Sequence, residues 1–244
     1  MKLLITVLCF LFFNIAFADK TSIVLGIVPL YSASETLEIW GPVAVYAENE
    51  DLKIIIRTER STQDFESGLM SGKYDAAFMT GEQYQKALLR YRAIAVPSDR
   101  TMRGTVITHK NSGINSIKDL NNKYIAFASP DEYVSSSMTQ EILKNNDIIF
   151  KPVYLNSVSS VVIGIKKQLY PAGSVLEGFY ESEEDLKAVF TTEESASYVV
   201  GVSKRVNNET EEYLKKILTN LHKNKKTAET MKKLHLSSFI LPEK

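Results

Sequence analysis

From residue 22 onward, short apolar runs alternate with amphipathic stretches, and that alternation leaves few folds open to the chain. Ser22–Val28 reads as a buried strand ending at Pro29, and Leu52–Arg57 as a second. Asp64–Ser71 reads as a helix, with Phe65, Leu69 and Met70 at i, i+4 and i+5, stopped by Gly72. Tyr74–Met79 is a third strand, Glu82–Leu89 a helix, and Ala93–Val96 a further strand. Strand and helix in turn, joined by short loops, predict an α/β fold with a parallel sheet.

The pattern breaks at PSDRTMRG (97–104) and resumes with a second set of elements. Strands are expected at 105–108, 124–128, 152–155, 174–176, 186–190 and 198–202. Helices are expected at the triple serine 135–137 and at 158–168. Asn207 caps a helix reaching about His222, with Leu214, Ile217, Leu218 and Leu221 in one stripe, and a last helix runs from about Thr227 to Leu236. Two α/β units of ordinary lobe size follow, with a ligand cleft expected between them at strand carboxyl ends.

The chain opens MKLLITVLCFLFFNIAFADK. Lys2, the apolar run Leu3–Phe13 and the small-x-small triplet Ala16-Phe17-Ala18 make residues 1–18 a cleavable signal peptide rather than a membrane span, which needs ~20 apolar residues. Export to the periplasm is the expectation. Cys9, the single cysteine, falls inside this segment, so disulfides, thiol nucleophiles and cysteine-held zinc are excluded from the mature chain. The full chain carries 29 basic and 29 acidic residues, a balance that argues against a nucleic-acid partner. No cofactor and no metal site are expected. Catalysis finds no support either: His109, His222 and His235 are scattered, and no nucleophile elbow or Walker loop is present.

Three segments together carry a resemblance. They are TQDFESGLMSGKYDAAFMTGEQYQKA (62–87), NSGINSIKDLNNKYIAFASPDEYVSSSM (111–138) and the return segment Ala188–Val206. In the first, Asp64-Phe65, Gly72 with Asp75, and Gly81 with Tyr84 match in order and spacing. These resemble the phosphate/phosphite/phosphonate-binding proteins of ABC transporters. The resemblance implies a two-lobed type II periplasmic binding protein, with lobe one at 19–98 and 203–244 and lobe two at 99–202. It implies capture of a small phosphorus oxyanion by hinge closure and delivery to a membrane permease, by a protein expected to be a monomer. A receptor docking on a membrane-bound sensor kinase or cyclase is the alternative, and an accessory protein with a decayed cleft a third reading.

The resemblance also implies that the serine-rich helix start holds the ligand's oxygens. Helix physics gives that a reason: the first N–H groups lack internal partners, the dipole is positive there, and hydroxyls add donors. Ser135, Ser136 and Ser137 are therefore ligand candidates, although Ser137 with Gln140 also fits a capping box. Tyr84 matches a family tyrosine whose hydroxyl donates to the ligand, and Phe65 stands where relatives carry tyrosine and forms an apolar wall. Tyr31 and Ser32 follow the first strand, Thr62 precedes the Phe65 helix, and Ser159 stands where relatives carry histidine. Pro171 stands near a family aspartate that meets an ammonium group, which weakens the case for an aminoalkylphosphonate; Glu177 is the nearest replacement.

Overall fold

The computed structural model describes residues 21–49, 52–99, 101–130 and 132–243. The expected signal peptide lies outside the described residues. Among those described, no helix is long and apolar enough to cross a membrane.

Lobe one is built on a six-stranded sheet. Its strands are β1 (Thr21–Ile27), β2 (Leu52–Thr58), β3 (Ala76–Thr80), β4 (Tyr91–Pro97) and two late arrivals, described below. Between β1 and β2 runs a helix that the sequence pattern did not signal, α1 (Ala33–Asn49). Gly41 and Pro42 in its middle read as breakers, because proline removes a helix hydrogen bond. The helix forms because Thr36, Ile39, Trp40, Val43 and Ala47 make one buried face at helical spacing. After β2, α2 (Thr62–Ser71) is capped by Ser61, whose hydroxyl accepts from the Asp64 N–H, and it ends at Gly72 in the left-handed region (φ 72°). Thr80 and Gln83 form a capping box at the start of α3 (Gly81–Ala87).

The chain crosses to lobe two through β5 (Thr101–Met102) and builds a five-stranded sheet. Its members are β6 (Gly104–His109), β7 (Lys123–Phe127), β8 (Phe150–Tyr154), β9 (Ala172–Leu176) and β10 (Leu186–Thr191), in the order β10-β6-β9-β7-β8. Between β7 and β8, a π-type first turn (Tyr133–Met138) continues without interruption into α4 (Thr139–Asn145). Helix α5 (Val158–Lys166) follows β8 and packs Val158, Val161, Val162 and Ile165 on one face of the sheet. The other face covers Leu120, Leu143 and Ile148.

The return crossing is β11 (Ser195–Ala196), which pairs antiparallel with β5, so the two connecting segments hydrogen-bond to each other. Next comes β12 (Tyr198–Ser203), inserted antiparallel between β3 and β4 of lobe one. Its place corrects the expected boundary at 202/203: the strand belongs to the first sheet, and the chain returns to it at 195–197. The full order there is β13-β4-β12-β3-β1-β2, with β13 (Phe239–Ile240) at the edge after α6 (Asn208–Asn220) and α7 (Lys225–Lys233). Both sheets are therefore mixed, each with a parallel trio (β2-β1-β3 and β8-β7-β9) joined to antiparallel strands.

The Gly-x-x-Asp element is architectural. The Asp75 carboxylate accepts from the Val24 N–H at 2.8 Å and from the Arg205 guanidinium at 2.8 and 3.1 Å, tying β1 to the segment after β12. Gly81 lets α3 approach the crossing strand: a Cβ there would stand 2.8 Å from the Ala196 Cβ.

Candidate functional site in the cleft between the lobes

The lobes meet where the loop after β1 faces the start of α5. The Val158 N–H donates to the Leu30 carbonyl at 2.9 Å, and the Ser159 hydroxyl donates to Glu35 Oε2 at 2.9 Å. Val134 and Leu176 of lobe two pack into the lobe-one core. On one flank, Phe179 of lobe two lies 5.4 Å from the Tyr31 ring and 4.8 Å from the His235 ring. A cavity of about 810 Å³ opens there, lined by Tyr31, Glu35, Ser159, Phe179, Glu181 and His235 among others. On the other flank, a cavity of about 560 Å³ lies at the carboxyl ends of β1, β2 and β8, with Ser32, Arg60, Asn156, Ser157 and Ser160 in its wall.

Three of the expected residues meet in this cleft. Tyr31 lines both cavities, and its hydroxyl donates to the Lys233 carbonyl. The Ser32 N–H and hydroxyl donate to Glu35 Oε2 at 3.0 and 2.6 Å, the same oxygen that Ser159 reaches from the opposite lobe. Burial acts to raise the Glu35 carboxyl, but the bonds from Ser32 and Ser159 outweigh it and hold the group below the usual carboxylate range. Burial first, and the Glu35 charge second, push the Tyr31 phenol well up.

The triple serine is arranged differently from the expectation. The cap of its helix is Glu132, and the serines occupy the first turn. Val134 N–H donates to Glu132 Oε1 at 3.2 Å, and the Ser135 N–H and hydroxyl both donate to Oε2 at 2.6 Å. Ser136 is fully buried and its hydroxyl accepts from Gln140 Nε2 at 3.1 Å. Ser137 is exposed and donates to the Pro130 carbonyl at 3.1 Å, so no Ser137–Gln140 capping box forms.

Glu132 itself is 5% exposed, and among the described residues no basic side chain pairs with it. Burial raises its carboxyl above the ordinary range against the bonds from Ser135 and Val134, with Glu82 of lobe one adding to the rise. In lobe one, Tyr198 shares a buried cluster with Val134, is 4% exposed, and its hydroxyl has no hydrogen-bond partner among the described residues. Burial, then the Glu132 charge and Tyr31, drive that phenol far up.

The expected contacts of Phe65 and Thr62 are corrected. Phe65 is fully buried in the lobe-one core, stacked on Tyr74 at 5.4 Å, and forms no cleft wall. Thr62 is buried in the first turn of α2, where Ser61 is the cap. The Tyr84 hydroxyl accepts from the Ala93 N–H at 3.0 Å, which fastens α3 to β4 and leaves its O–H proton as a donor. Sequence reasoning missed Glu35, Glu132, Phe179 and Tyr198. An acidic residue at a helix start was a signal for the two glutamates, but which of them is buried depends on the facing lobe.

The family model described as "ABC transporter, phosphonate, periplasmic substrate-binding protein" matches residues 25–244. A search of curated protein sequences finds no match. Among solved structures, PhnD1 from Prochlorococcus marinus in complex with methylphosphonate superposes with a TM-score of 0.79 at 17% identity, covering 92% of this chain and 94% of that one. A binding protein component of an ABC phosphonate transporter from Pseudomonas aeruginosa gives 0.76 at 13% identity, covering 92% and 82%. The two sheets and paired crossings are thus the two-lobed type II periplasmic binding protein fold. With nearly the whole described length matched, the chain belongs to the family of periplasmic substrate-binding proteins of phosphonate ABC transporters.

Proposed function

We propose that this protein takes a small phosphorus oxyanion (phosphate, phosphite or an alkylphosphonate) between its lobes and delivers it to an ABC permease. The observation that carries the reading is the donor set at 134–135. Two N–H groups and a hydroxyl converge on the two oxygens of one carboxylate at a helix start, which is how an oxyanion is held without a basic side chain. The packing of Val134, one of the donors, into the lobe-one core supports the same reading, because lobe one covers this helix start. Ser135 supplies the principal hydroxyl contact, and Tyr31, Ser32 and Ser159 form the closing rim. The paired crossings β5 and β11 act as the hinge. Ligand stabilises the closed form by its differential affinity for it, and the permease reads the composite surface of the two closed lobes. An N-terminal export signal fits delivery from the periplasmic side.

The test is a thermal-shift and calorimetric screen of the mature protein against phosphate, phosphite, methylphosphonate and 2-aminoethylphosphonate, with sulfate and amino acids as controls. A ligand at 100 times its Kd adds about 2.7 kcal/mol, or roughly 5–10 °C for a chain of this size. A shift with a phosphorus oxyanion and none with sulfate or amino acids is the expected result. Silence from every phosphorus compound defeats the reading.

A further inference from the structure

Glutamate is an unusual helix cap. Serine, threonine, aspartate and asparagine reach the N–H groups of the first turn more readily. A buried carboxylate without a cation is also costly, and proteins retain such groups where they have work to do. Here the carboxylate takes all three donors that the proposed ligand needs, at 2.6, 2.6 and 3.2 Å. Tyr198 of lobe one shares a core cluster with Val134, and its hydroxyl is buried and without a partner among the described residues. A buried donor with nothing to donate to, in the core cluster that also takes in Val134, leaves room in the bonding there for one more acceptor.

We infer that Glu132 is a tethered surrogate for the ligand and the residue that sets the affinity of the cleft: its carboxylate holds the oxyanion place, and an incoming phosphorus oxyanion binds by displacing it. The inference rests on the proposed function and deepens it. The ligand's oxygens take the Val134 and Ser135 donors, and one of them accepts from Tyr198. Glu132, freed, turns away from the helix start. Binding is then an exchange of one acceptor for another. The intrinsic affinity of the donor set is reduced by the fraction of molecules in which Glu132 already occupies it. The exchange also filters ligands. A weak acceptor does not dislodge a carboxylate that holds three donors, whereas a phosphoryl group with three oxygens competes for them.

The experiment compares wild type with Glu132→Ser, which keeps a capping oxygen and removes the carboxylate. Methylphosphonate and phosphate are titrated by calorimetry, and folding is checked by circular dichroism. The expected result is a Kd at least tenfold lower in E132S. A higher Kd would mean that Glu132 touches the ligand directly, and an equal one that it only caps the helix; either overturns the inference and leaves the proposed function standing. If neither protein binds any phosphorus oxyanion, the proposed function falls and this inference with it. A measurement on the wild type guards against a variant that does not fold. The Glu132 side-chain carboxyl carbon, followed by NMR, is expected to move from a buried to a solvent-like shift on saturation with methylphosphonate. A signal that stays in place refutes the displacement.

Discussion

Replacing Gly104 by alanine drives a methyl group into the floor of the proposed anion site. Gly104 opens β6 directly beneath the first turn of the serine helix. A Cβ built there stands 2.5 Å from the Val134 carbonyl oxygen, 3.0 Å from Thr139 Oγ1 and 3.2 Å from the Ser135 Cα. Ordinary contact begins at 3.4 Å, so the backbone at Val134 must retreat by roughly 0.9 Å. The obstacle is main chain, with no flexible tip to swing aside. Overpacking of this kind costs about 1–3 kcal/mol, which at about 2–4 °C per kcal/mol lowers the Tm by about 2–12 °C. The same retreat misaligns the Val134 and Ser135 donors, and each spoiled bond to a buried acceptor is worth about 1–3 kcal/mol. Methylphosphonate affinity should therefore fall tenfold or more. Scanning calorimetry and titration calorimetry read the two effects. Gly41→Ala is the control: it sits inside α1 with nothing within 4 Å of the new methyl, and should stabilise the protein by about 0.5–1 kcal/mol. If G104A melts and binds like wild type, the serine helix does not rest on β6 in the way described, and the account of the site fails with it.

Phe65→Ala should cost about 3–5 kcal/mol in urea unfolding while leaving the ligand Kd unchanged, because the side chain is core and not cleft wall; a lost affinity with little loss of stability would restore Phe65 to the pocket. The folded state binds the Glu132 proton more tightly than the unfolded chain. Its contribution to stability is thus fully present below the ordinary carboxylate pKa and is lost as pH rises through the raised value. Glu132→Gln, with Glu82 and Tyr198 left in place, should flatten that fall in urea midpoints measured across pH, and an unchanged profile would rule out the buried acid as its source. Glu35 has the opposite sign: its lowered pKa makes the Ser32 and Ser159 bonds stabilising above the usual carboxylate range and weakens them as pH falls through the folded value. Small-angle scattering should accordingly show the lobes separating on acidification, and Ser159→Ala should already be more open at neutral pH. Equal radii of gyration for S159A and wild type would mean that the Glu35 contact does not help hold the lobes together.

Much of the architecture is written locally. Gly72 in the left-handed conformation ends α2 because only a residue without a Cβ adopts it freely, and that stop is visible in the sequence. Asn207, whose side chain accepts from the Thr210 N–H, starts α6 where the apolar stripe of Leu214, Ile217, Leu218 and Leu221 predicts it. Strand positions follow from apolar runs for the same reason: period and propensity act over a few residues. Pairing does not. β12 reads as one more strand in order, yet it sits between β3 and β4, more than a hundred residues distant, because its hydrogen bonds and its buried faces are completed there.

The site divides along the same line. That Tyr31 and Ser32 lie at the edge between the lobes could be read from the loop after the first strand, since cleft loops follow parallel strands, whereas Ser159 came from the family resemblance. The place of Phe65 was not legible: it lies on a helix whose sequence shows only an apolar side chain, and the packing of α2 against Tyr74 decides that it is core. The serine run announced a helix start with donors to spare. That those donors close on Glu132 was decided by tertiary structure, because a carboxylate is drawn into the interior only when a second lobe covers it and excludes the water that would otherwise solvate it.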